Sequence, residues 1–263
     1  MHATASPADA HAFQRVYVWE LPVRFYHWLN ALCILVLTVT GFIIANPPAI
    51  NTASEASFSY WFGTTRFIHF VTAYVFVFNF AFRIYWGFVG NQYADWKNFL
   101  PLRLAQFREV VSVLKVDILQ SSNRPLLAVG HNALAYLTYF VMFLVFLFQV
   151  ASGFAMYASM SDAWFPQLFT WMIPLFGGDA ALHFWHHLAT WFFILFTLIH
   201  VYLVFYHDYV EGHGVLSSMI GGWKFMEKHH AQAEQATGLS AVVTRAPGPP
   251  PDPKSLPRPA PPG

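Results

Sequence analysis

Two histidines fourteen residues apart, His186 and His200, lie on the apolar stretch LHFWHHLATWFFILFTLIH, in which histidines are the only ionisable residues. At about 100° per residue, that spacing brings the second imidazole to within ~40° of the first. It also separates the two along a helix axis by roughly 21 Å, most of the hydrocarbon core of a bilayer. One helix therefore presents two metal-binding side chains on one face, one near each membrane surface. That layout suits two stacked cofactors passing electrons across a membrane.

The composition supplies elements able to hold such a pair. Hydrophobic residues make up 56% of the chain and charged residues only 10%, where a soluble domain carries about a quarter charged residues. The chain reads as a polytopic membrane protein. Four apolar stretches, 25–46, 67–89, 132–157 and 183–206, are near or above the ~20 residues needed to span. The expected fold is all-α, a four-helix membrane bundle over 15–225. A flexible segment, 1–14, precedes it, and a disordered proline-rich tail, 226–263, follows, ending APGPPPDPKSLPRPAPPG. The first span is not a cleaved signal peptide, because no small-residue cleavage site follows it and its polar start carries His27.

Between spans two and three, Leu104, Phe107, Val111 and Leu114 recur at helical spacing, which predicts an amphipathic helix on the membrane surface. Trp19, just ahead of span one, is a candidate interfacial anchor. The connection 158–182 is rich in aromatics and broken by Pro166, Pro174 and Gly177–Gly178, an apolar loop fit to enter the interface or receive a partner.

Lysine and arginine orient the spans. Arg15 and Arg24 precede the first span, and Lys97, Arg103, Arg108, Lys115 and Arg124 fill the loop between spans two and three. Lys224, Lys228, Arg245, Lys254 and Arg258 follow span four, whereas the two remaining connections offer only Arg66. Positive residues mark the cytoplasmic side, so both termini are expected there. A net charge of +1 without a basic recognition motif gives no nucleic-acid partner. The single cysteine, Cys33, excludes an internal disulfide and a cysteine-ligated iron–sulfur cluster within the chain, and reads as a small buried apolar residue.

With that orientation the histidines sort by depth. His69 starts span two from outside and His186 starts span four from outside, while His27 and His200 lie toward the cytoplasm. The outer pair is then His69 with His186 and the inner pair His27 with His200. Two imidazoles saturate a haem iron, which suits electron transfer over catalysis at iron. Ionisable groups in a bilayer are costly and usually functional. Metal-ion transport is the competing reading, but a pore would carry carboxylates and the spans carry none before Asp208. His207 is nearly on the face of His200 and competes with it, at the water boundary. His183 and His187 are off that face and read as interfacial residues near a haem propionate. His131 and Asn132, opening span three, read as a helix start or a quinone site. His11, His213, His229 and His230 are expected to be solvated.

Arg24 and Arg66 each precede a candidate ligand by three residues and are candidate propionate partners; an interfacial snorkelling arginine is the alternative. Arg83, toward the inner face, is a further candidate for the inner haem. Gly41, Gly87 and Gly153 could admit a porphyrin edge or a close helix crossing, and ordinary small-residue packing explains them equally well.

The segments RFYHWLNALCILVLTVTG (Arg24 to Gly41) and HFWHHLATWFFILFTLIH (His183 to His200) resemble two signature regions of the b-type cytochrome subunits of nickel–iron hydrogenases. RFIHF around His69, RIYWGFVGNQY from Arg83 and GHN at 130–132 are similar to the same family. The resemblance covers about residues 15–225 and leaves the proline-rich tail outside it. It implies two b-type haems on His27, His69, His186 and His200, in a subunit without a catalytic residue of its own. It implies a multi-pass protein of the bacterial inner membrane that anchors the small and large hydrogenase subunits on the periplasmic side. Electrons from hydrogen oxidation would enter the outer haem and reach a quinone of the respiratory chain from the inner one. A formate dehydrogenase partner on the same scaffold, or a haem-free structural anchor, are the alternatives.

Overall fold

Four long apolar helices dominate the computed structural model, which describes residues 13–49, 60–91, 93–95, 126–127, 133–211, 214–227 and 244–245. They are α1 (Leu21–Ala45), α2 (Trp61–Val89), α3 (Ala133–Tyr157) and α6 (Asp179–Glu211). All four expected spans are present, each long and apolar enough to cross a membrane. Helices α1, α2 and α6 begin ahead of the expected apolar stretches, α6 by about a turn, because backbone hydrogen bonding does not stop where the apolar run does. Their outer surfaces expose large apolar residues such as Leu35, Phe78, Leu195 and Leu198, as expected of helices facing lipid.

Local sequence explains the ends of α1. Pro22 sits in the first turn, where no N–H partner is needed, and Pro47–Pro48 follow the last turn. Glu20 makes no side-chain cap. Its Oε2 instead accepts Trp86 Nε1 at 3.0 Å and the Asn91 N–H at 2.9 Å, tying the start of α1 to the end of α2.

Helix α1 pairs with α2, and α3 with α6. The two hairpins meet at a buried waist of Cys33, Phe76, Phe146 and Phe193. The Phe76 ring lies 4.7 Å from that of Phe146 and 6.4 Å from that of Phe193, and Phe80 stacks on Phe146 at 3.8 Å. Cys33 is a free, buried thiol within this cluster, as a small apolar residue would be.

At one end, here the near end, the structure adds a feature that the helical pattern did not announce. Strand β1 (Phe13–Tyr17) pairs antiparallel with β3 (Trp223–Glu227), Phe13 opposite Glu227 and Tyr17 opposite Trp223. The pair straddles both boundaries drawn for the bundle, at 15 and 225. A short helix, α7 (Val215–Gly221), leads into β3. Between them Gly222 has φ 88°, and a Cβ there would stand 2.6 Å from Tyr17 Cε2 and 2.8 Å from the Trp19 carbonyl oxygen, so only glycine fits. The Gly222 carbonyl accepts the N–H groups of Val18 (2.9 Å) and Trp19 (3.1 Å). Trp19 is thereby buried with Val16, Val18, Val23, Tyr93 and Ala94. This corrects its reading as an interfacial anchor: the clasp folds over the indole before lipid can reach it. A second antiparallel pair joins Leu126–Leu127 (β2) to Thr244–Arg245 (β4).

At the far end, a 3₁₀ turn (Ala158–Met160) and two short helices, α4 (Trp164–Gln167) and α5 (Met172–Leu175), lie across the bundle. Gln167 Nε2 donates to the carbonyls of Ala158 (2.9 Å) and Ser161 (2.8 Å). Phe165 and Phe169 pack on Phe154, and Phe176 on Phe148, whereas Trp164, Leu168, Trp171 and Leu175 stay exposed. Gly177 and Gly178, at φ 85° and 116°, turn the chain into α6. The amphipathic stretch between spans two and three lies outside the described residues, as do His11, His131, Asn132, His213, His229, His230 and residues 246–263.

Candidate functional site

Beyond the waist, toward the far end, the hairpins enclose a cavity of about 400 Å³ lined by residues of α1, α2, α3 and α6. Small cofactors occupy pockets of ~300–1,000 Å³. Its walls are mostly apolar, with Leu37, Phe42, Phe70, Phe76, Val150 and Phe193 among them, and both His69 and His186 line it.

Each of these histidines is gripped at Nδ1 by a hydroxyl from its hairpin partner. His69 Nδ1 lies 2.8 Å from Thr40 Oγ1, and His186 Nδ1 lies 2.8 Å from Ser152 Oγ. The direction of these bonds follows from where the hydroxyl protons go. Thr40 donates to the Val36 carbonyl at 2.6 Å, and Ser152 to the Phe148 carbonyl at 2.7 Å, each four residues back along its own helix. Each oxygen then has only lone pairs left, so each imidazole must donate its Nδ1–H. That tautomer leaves Nε2 of both rings with a lone pair, the form in which imidazole binds a metal.

A glycine lies against each ring, and the clearance is tighter at His186. A Cβ on Gly153 would come within 3.1 Å of His186 Cε1, and one on Gly41 within 3.5 Å of His69 Cε1. These two glycines serve the imidazoles, whereas Gly87 is buried in the last turns of α2. Gln149 Nε2 donates to His186 Nε2 at 3.0 Å and to Thr190 Oγ1 at 3.2 Å, while its Oε1 is buried without a partner. A metal on His186 and the Gln149 amide compete for one lone pair.

The far-end rim of the cavity is polar. Arg66, His183, His187 and Asp179 line it. Arg66 donates to Met160 Sδ and lies 5.9 Å from the Phe70 ring centre. His183 pairs with Asp179 at 3.3 Å.

On the near side of the waist, His27 of α1 faces His200 of α6, their ring centres 6.2 Å apart and their planes at 54°. Two imidazoles on opposite sides of one metal, with bonds of ~2.0 Å, hold their ring centres ~6 Å apart. Phe196 stacks on His200 at 5.4 Å, and Trp28 meets His27 edge-on at 5.2 Å. His27 Nδ1 is buried and has no hydrogen-bond partner among the described residues. The clasp positions this residue: Trp28 Nε1 donates to the Met219 carbonyl at 3.2 Å, and Arg24 Nη1 donates to the Ile220 carbonyl. Farther along α6, the His207 ring lies edge-on to that of Tyr206 at 5.6 Å. Arg83 is half-buried at the near end, where Nη1 donates to the Ala94 carbonyl at 3.2 Å. Among the described residues no group of three or more His, Cys, Asp or Glu side chains could hold a bare metal ion, so paired imidazoles are the metal-binding chemistry on offer.

Thr40, Ser152 and Gln149 did not stand out in the sequence. Their signal there is faint: a hydroxyl residue directly before a glycine in two apolar spans, Thr40–Gly41 and Ser152–Gly153.

Residues 18–222 match the prokaryotic cytochrome b561 family. The match runs from Val18 to Gly222, the two residues hydrogen-bonded across the near-end clasp. The chain is similar to the probable Ni/Fe-hydrogenase B-type cytochrome subunit of Cupriavidus necator, 40% identical over 221 residues, covering 82% of this chain and 90% of that protein. The like-named protein of Azotobacter vinelandii is 39% identical over 216 residues, covering 81% and 89%. The probable Ni/Fe-hydrogenase 1 B-type cytochrome subunit of Escherichia coli K12 is 34% identical over 213 residues, covering 79% and 90%.

Proposed function

Because the chain belongs to the prokaryotic cytochrome b561 family, we propose that it is the membrane cytochrome b of a nickel–iron hydrogenase, with one b-type haem between His69 and His186 and a second between His27 and His200. The observation that carries this reading is the engagement of His69 Nδ1 by Thr40 Oγ1 and of His186 Nδ1 by Ser152 Oγ around one apolar cavity, which leaves the Nε2 lone pair of each ring for iron, at His186 in competition with the Gln149 amide. The 6.2 Å spacing of His27 and His200 supports the second site. The names of the relatives support the hydrogenase partner.

A b haem held by two of these imidazoles would supply a one-electron carrier with no position left for substrate. The rest is the work of the chain. The waist of Phe76, Phe146 and Phe193 packs out the space between the two histidine layers and excludes water from it. Arg66, on the rim of the far-end cavity, is the candidate propionate partner there, and Arg24, bonded to the Ile220 carbonyl, is the candidate at the near end. In this reading the far end faces the periplasm of a bacterial inner-membrane protein and receives electrons from the small and large hydrogenase subunits. The near end and both termini face the cytoplasm, where quinone is reduced beside Arg83, with His131 and Asn132 as the companion candidates.

The test is a visible absorption spectrum of native membranes under hydrogen, compared with full chemical reduction and with a His186→Ala strain. A b-type band that appears under hydrogen and is diminished in the variant supports the proposal. A band raised only by the chemical reductant removes the hydrogenase partner and turns the search to formate. The absence of a b-type band from this subunit removes the electron-transfer reading altogether.

A further inference from the structure

The two far-end histidines are held by the same device, built twice. On α1 the pair Thr40–Gly41 meets His69 of α2, and on α3 the pair Ser152–Gly153 meets His186 of α6. In each pair the hydroxyl accepts the Nδ1–H hydrogen bond and the glycine lies against the ring, at Gly153 so closely that a Cβ would crowd it. Hydroxyls bonded to their own helix are common in apolar spans, and Thr65, Thr190 and Thr197 of this chain do no more in that respect. Thr40 and Ser152 differ in accepting an imidazole as well. Thr40 is 7% exposed and Ser152 0%, so water does not compete for the lone pair that accepts it. Among the described residues no such hydroxyl meets His27 Nδ1 at the near end.

We infer that Thr40 and Ser152 are positioning residues of the far-end haem site, which hold His69 and His186 in the Nδ1–H tautomer and, by accepting the Nδ1–H hydrogen bond, bias the site toward ferric iron. The inference rests on the proposed ligation by His69 and His186. An imidazole whose distal N–H is engaged by an acceptor is a more basic ligand. A more basic ligand favours the more highly charged metal, so the hydroxyls lower the reduction potential of that site. Losing an outer-shell partner typically changes metal affinity by ~10–100-fold. A neutral hydroxyl belongs at the low end of that range.

The experiment is a redox titration of the full chain in native membranes, followed by b-band absorbance with the haem-to-protein ratio measured alongside. Thr40→Val and Ser152→Ala remove the acceptors with little change of shape; Thr40→Ser and Ser152→Thr restore them. The expected result is full haem content, with the same one of two redox steps shifted about tenfold toward the ferrous form in each loss variant, ~59 mV upward for one electron. The other step stays in place, and the hydroxyl-restoring variants return to the wild-type potential. A purely structural role for the two residues would alter haem content or thermal stability without moving a single step. Full haem content with both steps at the wild-type potential would overturn the inference while leaving the ligation intact. Should Thr40→Val lose its haem, recovery at the wild-type potential in Thr40→Ser supports the inference, and failure to recover overturns it. Retention of both haems in His69→Ala and His186→Ala would overturn the ligation and the inference with it.

Discussion

An added methyl group separates the two glycines that face the far-end histidines. At Gly41 a Cβ would lie 3.5 Å from His69 Cε1, and at Gly153 it would lie 3.1 Å from His186 Cε1. Carbon atoms in comfortable contact are ~3.5–4.0 Å apart, so alanine fits at Gly41 and intrudes by roughly 0.4 Å at Gly153. The His186 ring has little freedom to retreat, because Nδ1 is bonded to Ser152, the residue directly before Gly153, at 2.8 Å. Withdrawal by ~0.4 Å would stretch that bond to the edge of the hydrogen-bonding range at ~3.2 Å. Weakening it costs about 1 kcal/mol, or a factor of ~5 in affinity for whatever the ring ligates. Replacing glycine by alanine inside a helix gains roughly 0.5–1 kcal/mol, so the helix itself does not suffer in either variant. Haem titration of the purified, haem-depleted chain is the assay, with thermal denaturation as the control for folding. Gly153→Ala is expected to bind haem about fivefold more weakly than wild type, and Gly41→Ala to bind within a factor of about two. Equal affinities in the two variants would refute the argument from ring clearance.

Gln149→Leu removes the amide that competes for the His186 Nε2 lone pair, together with a buried, unpartnered Oε1. Relieving such an unpaired group is worth about 1–3 kcal/mol. Haem affinity should be equal or higher, and Tm should rise by about 2–4 °C for each kcal/mol gained; a fall in haem content would show that the amide supports the site. At the near end, Gly222→Ala combines a left-handed backbone with a Cβ 2.6 Å from Tyr17 and 2.8 Å from the Trp19 carbonyl. The backbone strain alone is about 1–3 kcal/mol, and the β1–β3 pair should open. Faster limited proteolysis at residues 13–19 is the expected readout, and an unchanged digestion pattern would show that the clasp does not depend on that residue.

The clasp also braces the start of α1, which carries His27. His27 sits less than two turns from the start of α1, where a helix would ordinarily fray. Glu20 ties that start to α2, and the Met219 and Ile220 carbonyls hold Trp28 and Arg24 on either side of His27. The segment following the last span thus steadies a residue of the first.

Much of this protein is written locally in its sequence. Apolar runs longer than a bilayer is thick set the four spans, and the 3.6-residue period puts His186 and His200 on one face of α6 without reference to any other helix. Depth then relates His69 to His186, which open spans that begin on the same side, and His27 to His200, because one opens a span and the other closes a span that runs the opposite way. What depends on how closely two helices approach is not legible along one of them. The hydroxyls of Thr40 and Ser152 look like ordinary polar residues in an apolar run until α1 brings one within 2.8 Å of His69 and α3 brings the other as close to His186. Gln149 acquires its conflict with His186 only across the α3–α6 interface. The β1–β3 pair joins segments from opposite ends of the chain, and five-residue strands carry too little pattern to reveal a partner so distant. Periodicity is a property of a single segment and survives in the sequence; tautomer, ring clearance and strand pairing are properties of contacts between segments, and only the packed tertiary structure decides them.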